Sequence, residues 1–284
     1  MKTLIAIFLV LSSVSTARSQ EELNVMSFNI RLNHAGDSLN AWPYRKDKVA
    51  SQILFHQVHL LGVQEALHEQ MVDLRQRLPS YKYVGVGRAD GKEKGEYSAI
   101  FYGTVRIRLL NAQTFWLAEK TDEPGLKGWD AAIERIVTWA FFEDRVTGKR
   151  FYHFNTHFDH VGKVARRESA ALLLRKTKQI AGNAPVIVTG DLNANPSDEP
   201  VQVLIDSTNV DHFTDAKQIS AQAHYGPTGT FNGFRSKETS DLPIDYIFVR
   251  NGIGVLRHAT LSQTWQGRFS SDHFPVLAVL KIAN

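Results

Sequence analysis

The stretch that most restricts what this chain can fold into is residues 185–196, Pro-Val-Ile-Val-Thr-Gly-Asp-Leu-Asn-Ala-Asn-Pro. Val186, Ile187 and Val188 form a short β-branched apolar run between punctuating residues, the pattern of a buried strand. Gly190 breaks the run, and a loop carrying Asp191, Asn193 and Asn195 follows, stopped by Pro196. A stiff strand thus delivers a carboxylate and amides to its own end, as scaffolds that hold catalytic loops do. Taken alone, an ordinary Gly-Asp turn with Asx capping explains the stretch equally well. What shifts the balance is that other stretches repeat the arrangement.

The N-terminus adds a second constraint. Lys2, the apolar run Leu4 to Leu11 and the small residues Ser15, Ala17 and Ser19 have the form of a secretory signal over residues 1–19, which implies a secreted or periplasmic protein. That run is too short to span a bilayer comfortably, and no later stretch has the character of a membrane helix. The expected organisation is one domain over 20–284, since no composition shift marks a boundary. There is no cysteine, so an exported chain must be held by its core alone, which this length permits. A formal net charge of +4, part of it in the leader, is too mild for tight electrostatic binding of nucleic acid. A monomer is expected.

Along the chain, Leu23 to Ile30 alternates as a strand and ends at Asn29 and Arg31. Trp42-Pro43-Tyr44 is expected to open a helix with Val49, Ile53 and Leu54 on one face. Leu60 to Gln64 is a short strand delivering Glu65, and His68 to Leu78 is helical up to Pro79. Tyr81 to Val86 and Tyr97 to Tyr102 are expected strands around a polar, Gly-rich loop. Ile136 to Phe142 and Phe151 to Thr156 are strands around Thr147-Gly148-Lys149, and the second runs into His157. A long amphipathic helix over 163–181 precedes the 186–191 strand, and Glu199 to Ile205 is a short helix. Ile244 to Val249 carries Asp245, and Pro275 to Leu280 follows Asp272 and His273. Residues 111–134 and 207–242 read as loops that select substrate. Alternating and then paired strands with helices outside predict an α/β (α+β) domain built on mixed sheets.

Asn29, Glu65, His157, Asp191, Asn193, Asp245, Asp272 and His273 share one placement, at or beside the end of an expected buried strand. Strands of one sheet system can bring such ends into one cleft. Without cysteine a thiolate zinc site is impossible, and oxygen-rich groups suit a hard cation, Mg²⁺ or alternatively Mn²⁺ or Ca²⁺. No P-loop pattern occurs. Hydrolysis of a phosphate ester needs an activated water, positive groups on the non-bridging oxygens and help for the leaving oxygen, and this set offers all three.

The chain resembles the endonuclease/exonuclease/phosphatase superfamily, with the pancreatic-deoxyribonuclease-like fold. The resemblance rests on Ser27-Phe28-Asn29-Ile30, Gly62-Val63-Gln64-Glu65, Asn155-Thr156-His157, Gly190-Asp191-Leu192-Asn193, Ile244-Asp245-Tyr246-Ile247 and Ser271-Asp272-His273-Phe274-Pro275-Val276, which run in family order across the chain. It implies a four-layer sandwich of two mixed β-sheets flanked by helices, and metal-dependent hydrolysis of a phosphate-ester substrate. By the same resemblance Glu65 would hold the metal, with Asn29 nearby and Asp272 bound directly or through water. Asp191 would orient or deprotonate the attacking water, and Asn193 would bind a phosphate oxygen. His273, paired with Asp245, would contact the phosphate, and His157 would bind or protonate the leaving group.

Arg31 departs from the abasic-site repair branch, where an acidic residue follows the Asn by two positions, and this weakens a DNA-repair role. Arg31, Arg135 and Asn232 are further candidates for substrate binding; for Arg135 the alternative is a surface ion pair with Glu134 or Asp130. His34, His153, His160 and His224 lie outside these motifs and are expected in surface or structural roles. The expected activity is a phosphodiesterase or phosphatase, the alternatives a secreted nuclease acting on DNA or RNA and a non-catalytic binding protein.

Overall fold

Two parallel strand pairs, each joined by a helix, set the architecture. In the computed structural model, which describes residues 21–235 and 241–283, β1 (Leu23–Asn29) pairs in parallel with β2 (Leu60–Gln64) after a crossover through α1 (Lys46–Phe55). Likewise β7 (Arg150–His157) pairs in parallel with β8 (Val186–Asp191) after α3 (Lys163–Ala181). A parallel pair needs such a crossover, so the helix patterns and the strand patterns specify the same topology. The signal expected at 1–19 lies outside the described residues.

Each pair sits inside a six-stranded sheet. The first sheet runs β11 (Ile253–Thr260), β12 (Val276–Ile282), β1, β2, β4 (Ile100–Gly103), β3 (Tyr81–Val84). The second runs β5 (Ile107–Trp116), β6 (Ile136–Asp144), β7, β8, β10 (Asp245–Arg250), β9 (Thr214–Asp215). All pairings other than the two parallel ones are antiparallel. The sheets pack face to face through Val25, Leu60, Phe142, Phe151, Ile187 and Ile247. Helix α3 and the short α4 (Glu199–Ile205) cover the outer face of the second sheet, where Leu173 and Leu204 meet Phe154 and Phe248. Helices α1 and α2 (His68–Arg77) cover the first, with Val49, Ile53, Met71 and Leu74 over Phe28 and Val63. The result is the four-layer sandwich of two mixed sheets flanked by helices. Each fully buried aliphatic or aromatic side chain contributes roughly 1.5–3 kcal/mol of transfer free energy.

The inter-sheet layer turns polar toward the ends of the parallel strands. Asn155 donates to the Val63 and Ala99 carbonyls across the sandwich, and its Oδ1 accepts from Gln64 and Thr189. Gly62 is required here because a Cβ would run into Asn155 and Thr189. This network fixes the register of the sheets beside the site.

Several elements differ from expectation. Trp42–Tyr44 is a separate 3₁₀ turn, and α1 begins only at Lys46. Val49 and Ile53 are buried on α1, but Leu54, one position further round the helix, is exposed. Tyr97 forms isolated bridges rather than part of a strand. Residues 111–116, expected in a loop, complete the edge strand β5, and β11 was not anticipated. Both carry a register irregularity, between Leu109 and Asn111 and between Val255 and Arg257, that breaks the alternation by which a strand is recognised.

Candidate active site

The topology gathers the site. Asn29, Glu65, His157 and Asp191 stand at the C-terminal ends of the parallel strands β1, β2, β7 and β8. Strands β10 and β12 are antiparallel to these, so their N-terminal ends arrive at the same edge: Asp245 pairs in register with Asp191, and the 271–273 segment leads into β12 beside Asn29. The cleft between them has a volume of about 440 Å³.

One wall is acidic. Glu65 Oε1 accepts from Asn29 Nδ2 at 3.1 Å, and Oε2 accepts from the Leu32 N–H at 3.1 Å. The Arg31 guanidinium, hydrogen-bonded on two nitrogens to Asp37, lies 3.9 Å from Glu65 and 3.7 Å from Asp272. Burial raises the pKa of Asp272, and the charge of Glu65 raises it further while His273 opposes. Two carboxylates in that relation, beside the Asn29 amide, form a hard-oxygen donor set that fits a divalent cation. Asn29 itself is fully enclosed, with its Oδ1 accepting from the Arg31 N–H at 3.0 Å, so it orients Glu65 from behind.

Beside this acidic wall stand the imidazoles. His273 Nδ1 donates to Asp245 Oδ2 at 2.8 Å, and its Nε2 lies 3.8 Å from Asp191 Oδ2. Burial works against the charged ring, but Asp245, by charge and hydrogen bond, and then Asp191 and Asp272 outweigh it and hold the His273 pKa well above the ordinary value. Asp191 Oδ1 accepts from the Asn193 N–H at 2.9 Å and Oδ2 from Asn29 Nδ2 at 2.9 Å. Burial, then the neighbouring Asp245, pushes the Asp191 pKa up to about 7. Asp191, Asp245 and His273 are close enough together to suggest a metal triad. A protonated imidazole has no lone pair to give a cation, so the Glu65 wall is the better metal position.

His157 differs from His273. Burial and then the charges of Arg135 and Arg88 lower its pKa well below the ordinary value, so the ring is neutral. Its Nε2 accepts from Asn193 Nδ2 at 2.9 Å, which places the ring proton on Nδ1, a buried atom with no protein partner. The ring is therefore not an imidazolium acid at rest, and its Nδ1–H is buried in the protein. Asn193 uses its other amide hydrogen on the Phe158 carbonyl at 3.0 Å, so here it orients His157 instead of presenting donors to a phosphate.

Arg31, Glu65 and Asn193 all adopt positive φ, at 56°, 62° and 47°. Backbone held in this region by non-glycine residues is strained, and it persists where surrounding contacts over-determine it. Those contacts are visible. Arg45, buried, donates to the carbonyls of Ile30 at 2.7 Å and Ser270 at 2.9 Å, and also to those of Arg31 and Asn40. It ties the end of β1 to the segment before Asp272. Ser271 Oγ adds a bond to the Asn29 carbonyl at 2.7 Å.

Arg135 lines the cleft and is almost fully buried, not paired on the surface with Glu134 or Asp130. Asn232 does not reach the cleft wall. It donates to the Ser271 carbonyl and accepts from the Phe234 N–H, bracing the loop that carries Asp272. Sequence patterning missed Arg45, and it placed the cleft-lining His160 among surface or structural residues. Neither lies in a strand-end motif. Only the long-range hydrogen bonds of Arg45, and the hydrogen bond from Arg135 to His160, reveal them.

Comparison with known proteins follows the same lines. The sequence model of the Endonuclease/Exonuclease/phosphatase family matches residues 26–273. A crystal structure of an endonuclease/exonuclease/phosphatase from Bacteroides vulgatus is 43% identical, with a TM-score of 0.88 over 92% of this chain and 99% of that one. A mannosyl-6-phosphatase from Bacteroides thetaiotaomicron is 38% identical, with a TM-score of 0.86 over 91% of this chain and 99% of that one. The human Nocturnin catalytic domain, 20% identical with a TM-score of 0.71 over 93% of this chain and 94% of that one, shares the fold.

Proposed function

The chain belongs to the endonuclease/exonuclease/phosphatase family, and we propose that it hydrolyses phosphate esters of small molecules with the help of a divalent cation, Mg²⁺ by preference. One observation carries the reading: a buried carboxylate, Asp191, stands between a charged and a neutral imidazole in one cleft with the acidic pair Glu65 and Asp272. The similarity to a mannosyl-6-phosphatase and the modest cleft volume favour a phosphorylated sugar or similar compact substrate over a polymer. The mild net charge points the same way, because nucleic-acid binding draws its affinity chiefly from phosphate neutralisation.

In this mechanism Asp191, held by Asn29 and the Asn193 N–H, accepts a proton from the attacking water. The His273 imidazolium presents Nε2–H to a phosphoryl oxygen, and Asp245 fixes its tautomer and balances its charge. His157, with Nε2 3.5 Å from Asp191 Oδ2, lines the cleft where the leaving group would bind. A cation held by Glu65 and Asp272 would supply Lewis-acid stabilisation of the phosphoryl charge.

The test is turnover of a panel containing mannose 6-phosphate, a generic phosphodiester, DNA and RNA, each with Mg²⁺ and with excess chelator. The expected result is Mg²⁺-dependent release of phosphate from the sugar ester. Full activity in chelator, or turnover of polymers alone, would contradict the proposal.

A further inference from the structure

Arg135 carries a charge for which the protein provides little pairing. The residue is 4% exposed, and its Nε and Nη1 have no hydrogen-bond partner. Only Nη2 is engaged, with His160 Nδ1 at 3.2 Å. The nearest carboxylate, Asp159, lies 3.7 Å from Nε, beyond a hydrogen bond, and its oxygens already accept from the backbone N–H groups of Val161, Gly162 and Ile133. Glu96, the other acid on this side, is held on both oxygens by Arg88. A buried guanidinium left with two free donors loses hydration without replacement, an arrangement that costs free energy unless a ligand completes it.

The side chain is also in the right place. Arg135 and His160 line the cleft that contains His157 and Asp191. Arg135 immediately precedes β6, whose Val137 pairs with Thr156, so it lies about one strand step from His157. The field of Arg135 reaches both His157 and Asp191.

We infer that Arg135 and His160 form a second anion subsite, which takes a phosphate or carboxylate carried on the leaving-group side of the ester. The inference rests on the phosphate-ester reading above and narrows it to substrates with two anionic groups. The planar fork of an arginine suits either anion, whereas a lysine at this place would offer a point charge.

The test compares doubly anionic compounds with singly anionic ones of the same skeleton. Glucose 1,6-bisphosphate is paired with glucose 6-phosphate, and 3-phosphoglycerate with glycerol 3-phosphate. Binding is measured by calorimetry in excess chelator, and kcat/KM is measured with Mg²⁺. For the unaltered protein, at least one doubly anionic member should bind more tightly than its partner by on the order of ten- to a hundredfold, the worth of one or two charge-assisted hydrogen bonds. Which pair shows the preference tells phosphate from carboxylate. Arg135→Gln should abolish the preference between the two members of a pair. Arg135→Lys should keep part of it, and His160→Ala should weaken it. Equal loss for both members of a pair would overturn the inference, because Arg135 would then hold the scissile phosphate; so would the absence of any preference in the unaltered protein. If Arg135→Gln does not fold, the half-exposed His160 and the unaltered protein still decide the matter. A binding preference without hydrolysis of any ester would leave the subsite standing and sink the hydrolase reading instead.

Discussion

His273 Nδ1 and Asp245 Oδ2 are 2.8 Å apart, both nearly sealed from water, and the carboxylate keeps the ring protonated where burial alone would neutralise it. The pair spans two sheets: Asp245 begins β10 of the second, and His273 precedes β12 of the first. One hydrogen bond therefore clamps the sandwich at its active edge and sets the charge of a group facing the substrate.

In the proposed mechanism activity requires the charged form of His273, so kcat/KM should fall on the alkaline side as pH rises through its raised pKa. Asp245→Asn removes the anion that raises it, so the alkaline limb should move to lower pH, with a rate loss on the order of a hundredfold or more near neutrality. The check is a pH profile of kcat/KM for both proteins. An unshifted limb would show that His273 is not the titrating group.

Arg45 joins the carbonyls of Ile30, Arg31 and Ser270 from below the site. Arg45→Met keeps bulk but leaves those acceptors unpaired, at a cost of roughly 3 kcal/mol. The midpoint of denaturant unfolding should fall accordingly, and the positive-φ backbone at Arg31 should relax, weakening Mg²⁺ binding as well. A midpoint unchanged within error would mean that water satisfies these carbonyls.

His153 lies in the interior with Nε2 2.8 Å from Thr189 Oγ1, and burial lowers its pKa to about 3. A ring that is neutral when folded but titrates near 6.5 when unfolded contributes stability above about pH 6.5 and loses it as pH falls toward the folded value. Roughly 2 kcal/mol should be lost through this group between pH 6.5 and 5. His153→Gln keeps a partner for Thr189 and should make the unfolding free energy, measured by denaturant at each pH, flatter across that window. An identical slope would assign the acid sensitivity elsewhere, for instance to His258, also lowered to about 3.

Much of this was legible in the sequence, for a physical reason. Apolar runs ending in Asn29, Glu65, His157 and Asp191 are buried strands, and buried strands in parallel pairs must deliver their ends to one edge. What the sequence could not show is what each side chain does once there. His157 ends one buried run and His273 precedes another, yet burial together with Arg135 keeps the first neutral and Asp245 keeps the second charged, and Arg135 and Asp245 come from other segments. The edge strands β5 and β11 were hidden because one exposed face and a bulge blur their alternation. Leu54 shows the same limit on a helix: one residue off the stripe is enough to reach solvent.

The division of the cleft into a metal-holding wall and a charge-neutralising wall is tested most directly by turnover against Mg²⁺ concentration for Glu65→Gln and His273→Ala. Glu65→Gln removes a charged oxygen donor while keeping shape, so activity should be low at ordinary Mg²⁺ and partly recover as Mg²⁺ rises. His273→Ala removes the imidazolium that meets the phosphoryl oxygen, a loss on the order of a hundredfold or more that added Mg²⁺ should not restore. Rescue of His273→Ala by Mg²⁺, with none for Glu65→Gln, would reverse the two walls and contradict the mechanism.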